Sequence, residues 1–275
     1  MIFGIGSQIP ISDKTPKQPK LLIEERRRRI LDRVNSQERV TVSDLVEAFG
    51  ISAVTIRGDL DALDDQGGLV RSHGGAVKRL NPLQDYPIQV KEILHHGAKV
   101  RIAQAAARLI RSEQIIILDS GTTTAEIARQ IKHAKLGSLT VITNALNIAM
   151  ELANLPHVSV IMLGGMLRQM SYSLVGPHAE QILSDLNADH VFLGVDGLDP
   201  ELGLSTPDVF EAKLNALMIR VSRQVTVVAD SSKFGQRSLS VISRMENVHR
   251  VITDTKAPPD VLAALRAHGV EVLLV

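Results

Sequence analysis

The chain has 275 residues, 44% of them apolar, so it can bury a large core, and its length favours two domains over one. Its formal net charge is only +1, so any charge that binds nucleic acid must be local. The sequence contains no cysteine, which excludes disulfides, thiolate nucleophiles and cysteine-bound zinc and fits a cytoplasmic location. No run of about 18 apolar residues is present and residues 1–10 lack the features of a signal peptide, so we expect no membrane partner.

Changes in composition and periodicity divide the chain into four parts. Residues 1–19 are rich in glycine, proline and lysine, which predicts a disordered tail. Residues 20–78 show short helical periods followed by a glycine turn, which predicts a small helical domain with a hairpin. Residues 79–90 have no period and predict a linker. From residue 91 to residue 275 apolar runs alternate with helical segments, which predicts a separate α/β domain.

Local signals within the small domain predict three helices. A first amphipathic helix ends at a break over residues 35–39. Ser43 is the expected N-cap of the second helix, which ends at Gly50, and Ser52 is the expected N-cap of the third. Two short runs on either side of the glycines at 74–75 predict the hairpin. A positioning helix, a tight turn and a second helix make a helix-turn-helix, and the hairpin is its wing.

The third helix has an apolar face and a polar face. With Ile56, Leu60 and Leu63 inward, a rotation of about 100° per residue turns Arg57 outward, where it can meet a guanine edge or a phosphate. The same rotation turns Val54, Gly58 and Asp61 outward. The candidate DNA-binding residues come from this helix, the arginine run at 26–29, the start of the second helix and the wing: Arg28, Ser43, Ser52, Thr55, Arg57, Arg71, His73 and Gly74. The alternative is a plain three-helix packing unit whose arginines form a solvated face.

Two strings in this region resemble the signature of a known family. Residues 52–57 read Ser-Ala-Val-Thr-Ile-Arg and are followed, after Gly58, by Asp59 and Leu60. Residues 71–76 read Arg-Ser-His-Gly-Gly-Ala. They are similar to the recognition helix and wing of the DeoR family of bacterial sugar-metabolism repressors, and this resemblance implies operator DNA as a partner. Gly58 stands where the family usually has a second arginine, so we expect one contact with DNA to be missing there.

The rest of the chain predicts an α/β domain on a mainly parallel sheet. Helical segments separate most of its apolar runs, and strands that alternate with helices favour parallel crossovers. The predicted strands cover residues 115–118, 139–142, 158–163, 190–195, 224–229, 250–252 and 270–275. The predicted fold class is therefore α/β, with an N-terminal winged helix-turn-helix domain added.

The clearest chemical signal follows the first of these strands. Residues 119–124 read Asp-Ser-Gly-Thr-Thr-Thr and lead into a helix. A strand, a hydroxyl-rich glycine turn and a helix N-terminus form a cradle for phosphate, because backbone N–H groups and the helix dipole favour an anion. The candidate ligand-binding residues here are Asp119, Ser120, Gly121, Thr122, Thr123 and Thr124. The alternative is an ordinary cluster of helix-capping residues.

Polar residues also follow the other predicted strands. Ligands bind beyond the carboxyl ends of the strands in open α/β sheets, so these residues are expected to face one crevice. They are Thr143, Asn144, Gly164, Asp196 and Lys233, and the lysine is expected to help neutralise a phosphate. Arg168 and Tyr172 are expected to clasp the rest of the ligand, and surface packing explains them equally well. The nine histidines show no metal-ligand grouping, so we predict no metal.

This domain also resembles the DeoR-type sensor domain, whose fold is similar to ribose-5-phosphate isomerase and CoA transferases. The Ser-Gly-Thr-Thr turn resembles the isomerase's phosphate loop, residues 194–197 its aspartate-bearing loop, and residues 229–233 its Asp-x-Ser-Lys stretch. Glu211 is similar in position to its general base. The isomerase's Lys-Gly-Gly segment is absent, since residues 203–208 read Gly-Leu-Ser-Thr-Pro-Asp. The resemblance therefore implies a sensor that keeps the binding half of the site and has lost the catalytic half.

The leading hypothesis is a transcription repressor of a carbohydrate-use operon that responds to a sugar phosphate, is not an enzyme and needs no cofactor. The sequences of residues 118–124 and 192–197 are similar to those of regulators of amino-sugar use. Symmetric pairs of domains usually read operators, so a homodimer or homotetramer is expected. The alternatives are a phosphosugar isomerase-like enzyme with an added helical domain and a CoA-ester-binding module.

Overall fold

The computed structural model describes residues 22–37, 39–72, 74–78 and 85–275, which form two compact units. The first unit is built mainly from residues up to 78 and the second from residue 85 onward. The predicted tail and His73 lie outside the described residues, as does the first half of the predicted linker. The last three residues of that linker, 88–90, form the first turn of a helix.

The first unit contains three helices and a three-stranded sheet. Its elements are α1 (Ile23–Gln37), β1 (Arg39–Thr41), α2 (Val42–Phe49), α3 (Ala53–Asp65), β2 (Leu69–Ser72) and β3 (Gly75–Lys78). The strand order is β1-β3-β2, and β1 pairs with β3 in antiparallel register. The strands approach so closely that a Cβ atom on Gly75 would lie 2.0 Å from the carbonyl oxygen of Val40, so this position requires glycine. The predicted winged helix-turn-helix is confirmed.

Two local predictions in this unit are wrong and two are confirmed. Helix α1 runs through residues 35–37, where we predicted a break. The N-cap of α2 is Thr41 rather than Ser43, because Thr41 and Asp44 form a reciprocal capping box: the Thr41 hydroxyl accepts from the Asp44 N–H at 3.1 Å, and the Asp44 carboxylate accepts from the Thr41 N–H at 3.2 Å. Gly50 ends α2 in the left-handed conformation at φ 63°, and Ser52 caps α3 as predicted.

The second unit is built around a seven-stranded parallel sheet. Its elements are α4 (Ile88–Ile93), α5 (His96–Ala107), β4 (Ile115–Leu118), α6 (Thr122–Ile131), β5 (Leu139–Thr143), α7 (Leu146–Leu152), β6 (Val158–Met162), β7 (Met166–Arg168), β8 (Ser173–Val175), α8 (Pro177–Ser184), β9 (Ala188–Leu193), β10 (Gly197–Asp199), β11 (Gly203–Thr206), α9 (Val209–Arg220), β12 (Ser222–Val228), β13 (Ser240–Ser243), β14 (Arg250–Thr253), α10 (Pro259–Ala267) and β15 (Glu271–Leu274). The predicted α/β class is confirmed.

The order of the strands creates a switch point in the middle of the sheet. The order is β15-β14-β12-β9-β4-β5-β6, so the chain builds outward from β4 in one direction and later from β9 in the other. Helices cover both faces, because Ile116 and Leu118 of β4 join the core around α5 and α6 while Ile117 joins the core around α9. Ligands of such sheets bind at the carboxyl ends of the strands next to the switch point.

Two small sheets were not predicted. The hairpin β7-β8 and the sheet β10-β11-β13 consist of strands of three or four residues, too short for a period-2 pattern to identify them. In the part of the chain that the structure describes, no helix is both long enough and apolar enough to cross a membrane.

Candidate functional site

The exposed face of α3 is the one that the helical period predicted. Ile56 and Leu60 are fully buried, whereas Arg57 is exposed. Val54 lies on the same face with 77% of its surface exposed, which suits an apolar contact with a thymine methyl group. At the start of the helix, Ser52 and Thr55 are exposed and their hydroxyls lie 2.9 Å apart. The face combines one cation, two hydroxyls and one apolar side chain.

The other candidate DNA-binding residues lie around this helix. Arg28 on α1 and Ser43 on α2 are exposed, and Gly74 is exposed in the turn between β2 and β3. Arg71 on β2 is half-buried. His73 lies outside the described residues.

The arginine run at 26–29 divides into two pairs with different roles. The Arg26 guanidinium is buried and lies 2.5 Å from the Asp59 carboxylate, which also contacts Arg27 at 3.1 Å. Asp59 is itself buried on the inner face of α3. These two arginines therefore fasten the exposed helix to α1 rather than neutralise phosphates. The expectation that this run supplies charge to DNA is wrong for the buried Arg26, whereas the candidate Arg28 is exposed.

The predicted phosphate cradle begins at the carboxyl end of β4. Helix α6 starts at Thr122 with Gly121 as its N-cap, and no side chain caps it. The Thr124 hydroxyl turns back to the carbonyls of Asp119 and Gly121 at 2.9 and 2.7 Å, which fixes the turn. The uncapped N–H groups of the first helical turn point outward along the axis, where an anion is stabilised. Ser120 and Thr122 are half-buried in this turn, and Thr123 is buried.

Asp119 joins the two strands at the switch point. Its two carboxylate oxygens accept the N–H groups of Gly121 at 3.1 Å and of Gly194, which follows β9, at 3.0 Å. Burial raises the pKa of Asp119 to about 7, and the nearby charge of Glu211 acts in the same direction. A substantial fraction of this carboxyl is therefore neutral at physiological pH, which lessens its repulsion of a bound anion.

The structure brings the remaining predicted residues to the same edge of the sheet. Thr143 is the last residue of β5 and Asn144 follows it, while Gly164 follows β6, Asp196 follows β9, and Lys233 follows β12. Thr143 is used locally, because its hydroxyl accepts the N–H of Ala145 at 3.1 Å. The Asn144 side-chain oxygen is buried and has no hydrogen-bond partner in the structure, so it offers an acceptor to a ligand.

Lys233, which the sequence analysis selected, and Lys91, which it did not, lie beside Asp196. The Asp196 carboxylate is 3.0 Å from Lys91 Nζ and 3.6 Å from Lys233 Nζ. Burial opposes ionisation of this carboxylate, but the two lysine charges outweigh it and lower its pKa to about 2. The ammonium of Lys99 is buried behind them and donates to the carbonyl oxygen of Lys91. Burial lowers the pKa of Lys99 to about 8.

The helical spacing of apolar residues in α5 could have identified Lys99 from the sequence. This lysine shares the buried face of α5 with Ile102, Ala103 and Ala106, at helical spacing. A charged residue on the apolar face of a helix is rare unless it has a partner or a function. Lys91 carried no comparable signal, because α4 has only six residues.

Arg168 is the centre of a second group of charges. Its guanidinium contacts Asp85, Asp208 at 3.1 Å and Glu211 at 3.5 Å. The Glu211 carboxylate is buried and also accepts from the hydroxyls of two serines on the β7-β8 hairpin, Ser171 at 2.5 Å and Ser173 at 2.8 Å. The predicted clasp by Tyr172 is not part of this group, because its hydroxyl pairs with Gln89.

These groups together form what we call the strand-end site. It comprises residues 119–124 with Lys91, Lys99, Asn144, Arg168, Asp196, Glu211 and Lys233. The ammonium groups of Lys91 and Lys233 flank the Asp196 carboxylate, and the helix that begins at Thr122 has an uncapped N-terminus. The site can therefore attract an anion and accept hydrogen bonds from hydroxyl groups.

A winged helix-turn-helix unit with an exposed arginine on α3, followed by a separate α/β unit, defines a DNA-binding transcription regulator. The DeoR-like helix-turn-helix domain family matches residues 26–79, and the DeoR C terminal sensor domain family matches residues 94–255. The chain belongs to the DeoR family of transcriptional regulators.

Relatives cover nearly the whole chain and are named as regulators. A protein of Escherichia coli O157:H7 described as an aga operon transcriptional repressor is 42% identical over 91% of this chain and 93% of its own length. The HTH-type transcriptional regulator GlpR of Haloferax volcanii is 37% identical over 92% of this chain and 98% of its own length. The glycerol-3-phosphate regulon repressor of Escherichia coli K12 is 31% identical over 91% and 98%.

Solved structures show weaker likeness. Ribose 5-phosphate isomerase A from Methanocaldococcus jannaschii has a TM-score of 0.39 at 16% identity and covers 52% of this chain and 56% of the isomerase. The translation initiation factor eIF-2B of Pyrococcus horikoshii OT3 has a TM-score of 0.40 at 16% identity, covering 77% of this chain and 72% of the factor. Likeness at this level carries no functional argument.

Proposed function

We propose that residues 20–78 bind the operator of a carbohydrate-use operon as a repressor, and that a phosphorylated sugar bound by residues 91–275 controls this binding. The observation that carries the proposal is that Lys91 and Lys233 lie within 3.6 Å of Asp196, while the Asp119 carboxylate at the start of the cradle accepts the N–H of Gly194, two positions before Asp196. Charge-assisted hydrogen bonds from ammonium groups and backbone N–H groups are the usual means of holding a phosphate. The names of two relatives, repressors of the aga operon and of the glycerol-3-phosphate regulon, agree with this class of effector.

The rest of the site suits a polyhydroxylated ligand. Asp196, whose pKa is lowered to about 2, is an ionised acceptor, and Glu211 is an acceptor that already receives hydrogen bonds from serines. The buried Asn144 oxygen is an acceptor without a partner in the structure. Sugar hydroxyls donate hydrogen bonds, so each acceptor gains a partner when a sugar binds. A CoA ester would present few hydroxyl donors to these groups.

Thr122→Glu tests the cradle. The new carboxylate lies at the first position of α6, where the helix dipole favours it and where it occupies the place of the phosphate. We expect sugar phosphates to bind at least about tenfold more weakly, which corresponds to about 1.4 kcal/mol. Isothermal titration calorimetry with the best binder from a sugar-phosphate thermal-shift screen measures this loss.

The matched control for this variant is Thr122→Gln, which has the same size without the charge and should lose much less affinity. Operator binding of the effector-free protein should be unchanged in both variants. An unaltered response of Thr122→Glu would mean that the phosphate binds elsewhere.

Arg57→Ala tests the DNA-reading face. Removal of an exposed side chain that contacts a base should cost about 1–3 kcal/mol of binding to a duplex selected from random DNA by the wild-type protein. Fluorescence anisotropy at fixed salt measures it, with Arg223→Ala, an exposed arginine of the second unit, as control. Stabilisation by the effector should persist in Arg57→Ala. Wild-type affinity in this variant would contradict the assigned face.

We further propose that the protein is not an enzyme and acts in the cytoplasm as a homodimer or homotetramer. Support for a binding role comes from Glu211, whose carboxylate already accepts hydrogen bonds from two serines and contacts a guanidinium. Turnover of ribose 5-phosphate by the purified protein would contradict the first point. A single copy bound per operator in analytical ultracentrifugation would contradict the second.

A further inference from the structure

Asp85 is the next residue that the structure describes after Lys78, the last residue of β3, and lies seven positions beyond it. Its side chain is only 22% exposed. Its carboxylate contacts the Arg168 guanidinium and lies 3.5 Å from Lys91 Nζ. In the described part of the chain, these two cations are the only side chains that we find bonded to it.

Both cations belong to the strand-end site. Lys91 Nζ is 3.0 Å from Asp196, and Arg168 also contacts Glu211 at 3.5 Å. Asp85 therefore places one negative charge on the two groups that an anionic ligand of this site would approach. The carboxylate is an internal anion beside the proposed binding place of an external one.

The other carboxylates around Arg168 are held by their own surroundings, whereas Asp85 is not. Asp208 is the N-cap of α9 and accepts the Glu211 N–H at 2.9 Å, and Glu211 is held by two serine hydroxyls. Asp85 precedes α4, which is anchored from Ile88 onward: this residue is buried, and its N–H donates to the Met170 carbonyl at 2.7 Å. If one carboxylate leaves the guanidinium, Asp85 can do so with the least disruption of packed structure.

We infer that Asp85 is an internal competitor of the effector: an anionic ligand that binds Lys91 and Arg168 displaces the Asp85 carboxylate and releases residue 85 from the strand-end site. This inference rests on the proposed function. It supplies a differential interaction between the two states, which any ligand-driven shift of a conformational equilibrium requires. The exchange replaces one anion by another on the same cations, so the cations keep a partner in both states.

Calorimetry with inorganic phosphate on the full-length wild-type protein and on Asp85→Asn tests the competition. Removal of the competing charge should tighten phosphate binding by roughly 5-fold to 150-fold, the range typical of coupling between sites. Asp208→Asn is the matched control, because it removes one charge from the same guanidinium, keeps a capping side chain and does not contact Lys91. Its gain in affinity should be clearly smaller.

Hydrogen exchange at the amides of residues 85 and 86 provides the second readout. Phosphate should speed this exchange in the wild-type protein and in Asp208→Asn, whereas in Asp85→Asn exchange should already be fast without phosphate. If Asp85→Asn binds phosphate no more tightly than the wild-type protein or Asp208→Asn, or if phosphate slows exchange at these amides, the competition is disproved. If phosphate binds none of the three proteins, the proposed function fails as well.

Discussion

Replacement of Lys99 by methionine should make the effector-free protein more stable at pH 7 while abolishing its response to sugar phosphates. The lysine is only 4% exposed, and burial lowers its pKa from 10.5 to about 8. This lowering of the pKa corresponds to an unfavourable free energy on the order of 3 kcal/mol for the buried charge. Methionine has similar length and no charge, so the variant avoids this penalty and loses an ammonium that we propose to bind phosphate.

The lowered pKa of Lys99 also predicts how the stability difference between the variant and the wild-type protein changes with pH. The folded-state pKa is below the unfolded one, so the unfolded chain binds more protons between about pH 8 and pH 10.5. The destabilisation by Lys99 is therefore fully present below pH 8 and is relieved as the pH rises through this window. The stability difference between the variant and the wild-type protein should shrink accordingly.

Thermal unfolding at pH 7 and pH 9.5 measures the difference, and a gain of 1 kcal/mol corresponds to roughly 2–4 °C for a domain of this size. Lys213→Met, an exposed lysine on α9, is the control and should change neither stability nor response. A lower melting temperature of Lys99→Met at pH 7, or an intact response to sugar phosphates, would contradict the role assigned to this ammonium.

Asp59→Ala should unfold or loosen the DNA-binding unit and abolish operator binding without affecting the sensor unit. The variant leaves the buried Arg26 guanidinium without its partner at 2.5 Å and also removes the contact with Arg27. Loss of one partner of a buried ion pair costs about 3–5 kcal/mol, because the other charge remains buried and unpaired. This is a large part of the stability of a unit of this size.

Hydrogen exchange of the α1 and α3 amides reports the local unfolding free energy of this unit within the full-length protein. Asp65→Ala removes an exposed carboxylate from the same helix and should leave exchange and operator binding nearly unchanged. Asp59→Asn keeps a hydrogen-bond acceptor and should fall between the two. Wild-type protection in Asp59→Ala would show that the arginine pair does not hold the helix in place.

The sequence alone predicted the features that depend on neighbouring residues. Helical spacing placed Ile56 and Leu60 inside and Arg57 outside, and the cap residues Gly50 and Ser52 marked helix ends because their effect acts within one turn. Alternation of strands and helices predicted the parallel sheet, and a parallel sheet brings the carboxyl ends of its strands to one edge. The location of the candidate site was therefore predictable, including the cradle at residues 119–124.

Only the tertiary structure decided which charges meet at that edge. Lys91 contacts Asp196 across 105 positions of the chain and Arg168 contacts Asp85 across 83, while Arg26 meets Asp59 across 33. No local period encodes such pairs, because they depend on strand order and on short segments such as α4 and the β7-β8 hairpin. The burial that lowers the pKa of Lys99 likewise arises only when helices pack on the completed sheet, so it depends on residues that are distant in the chain.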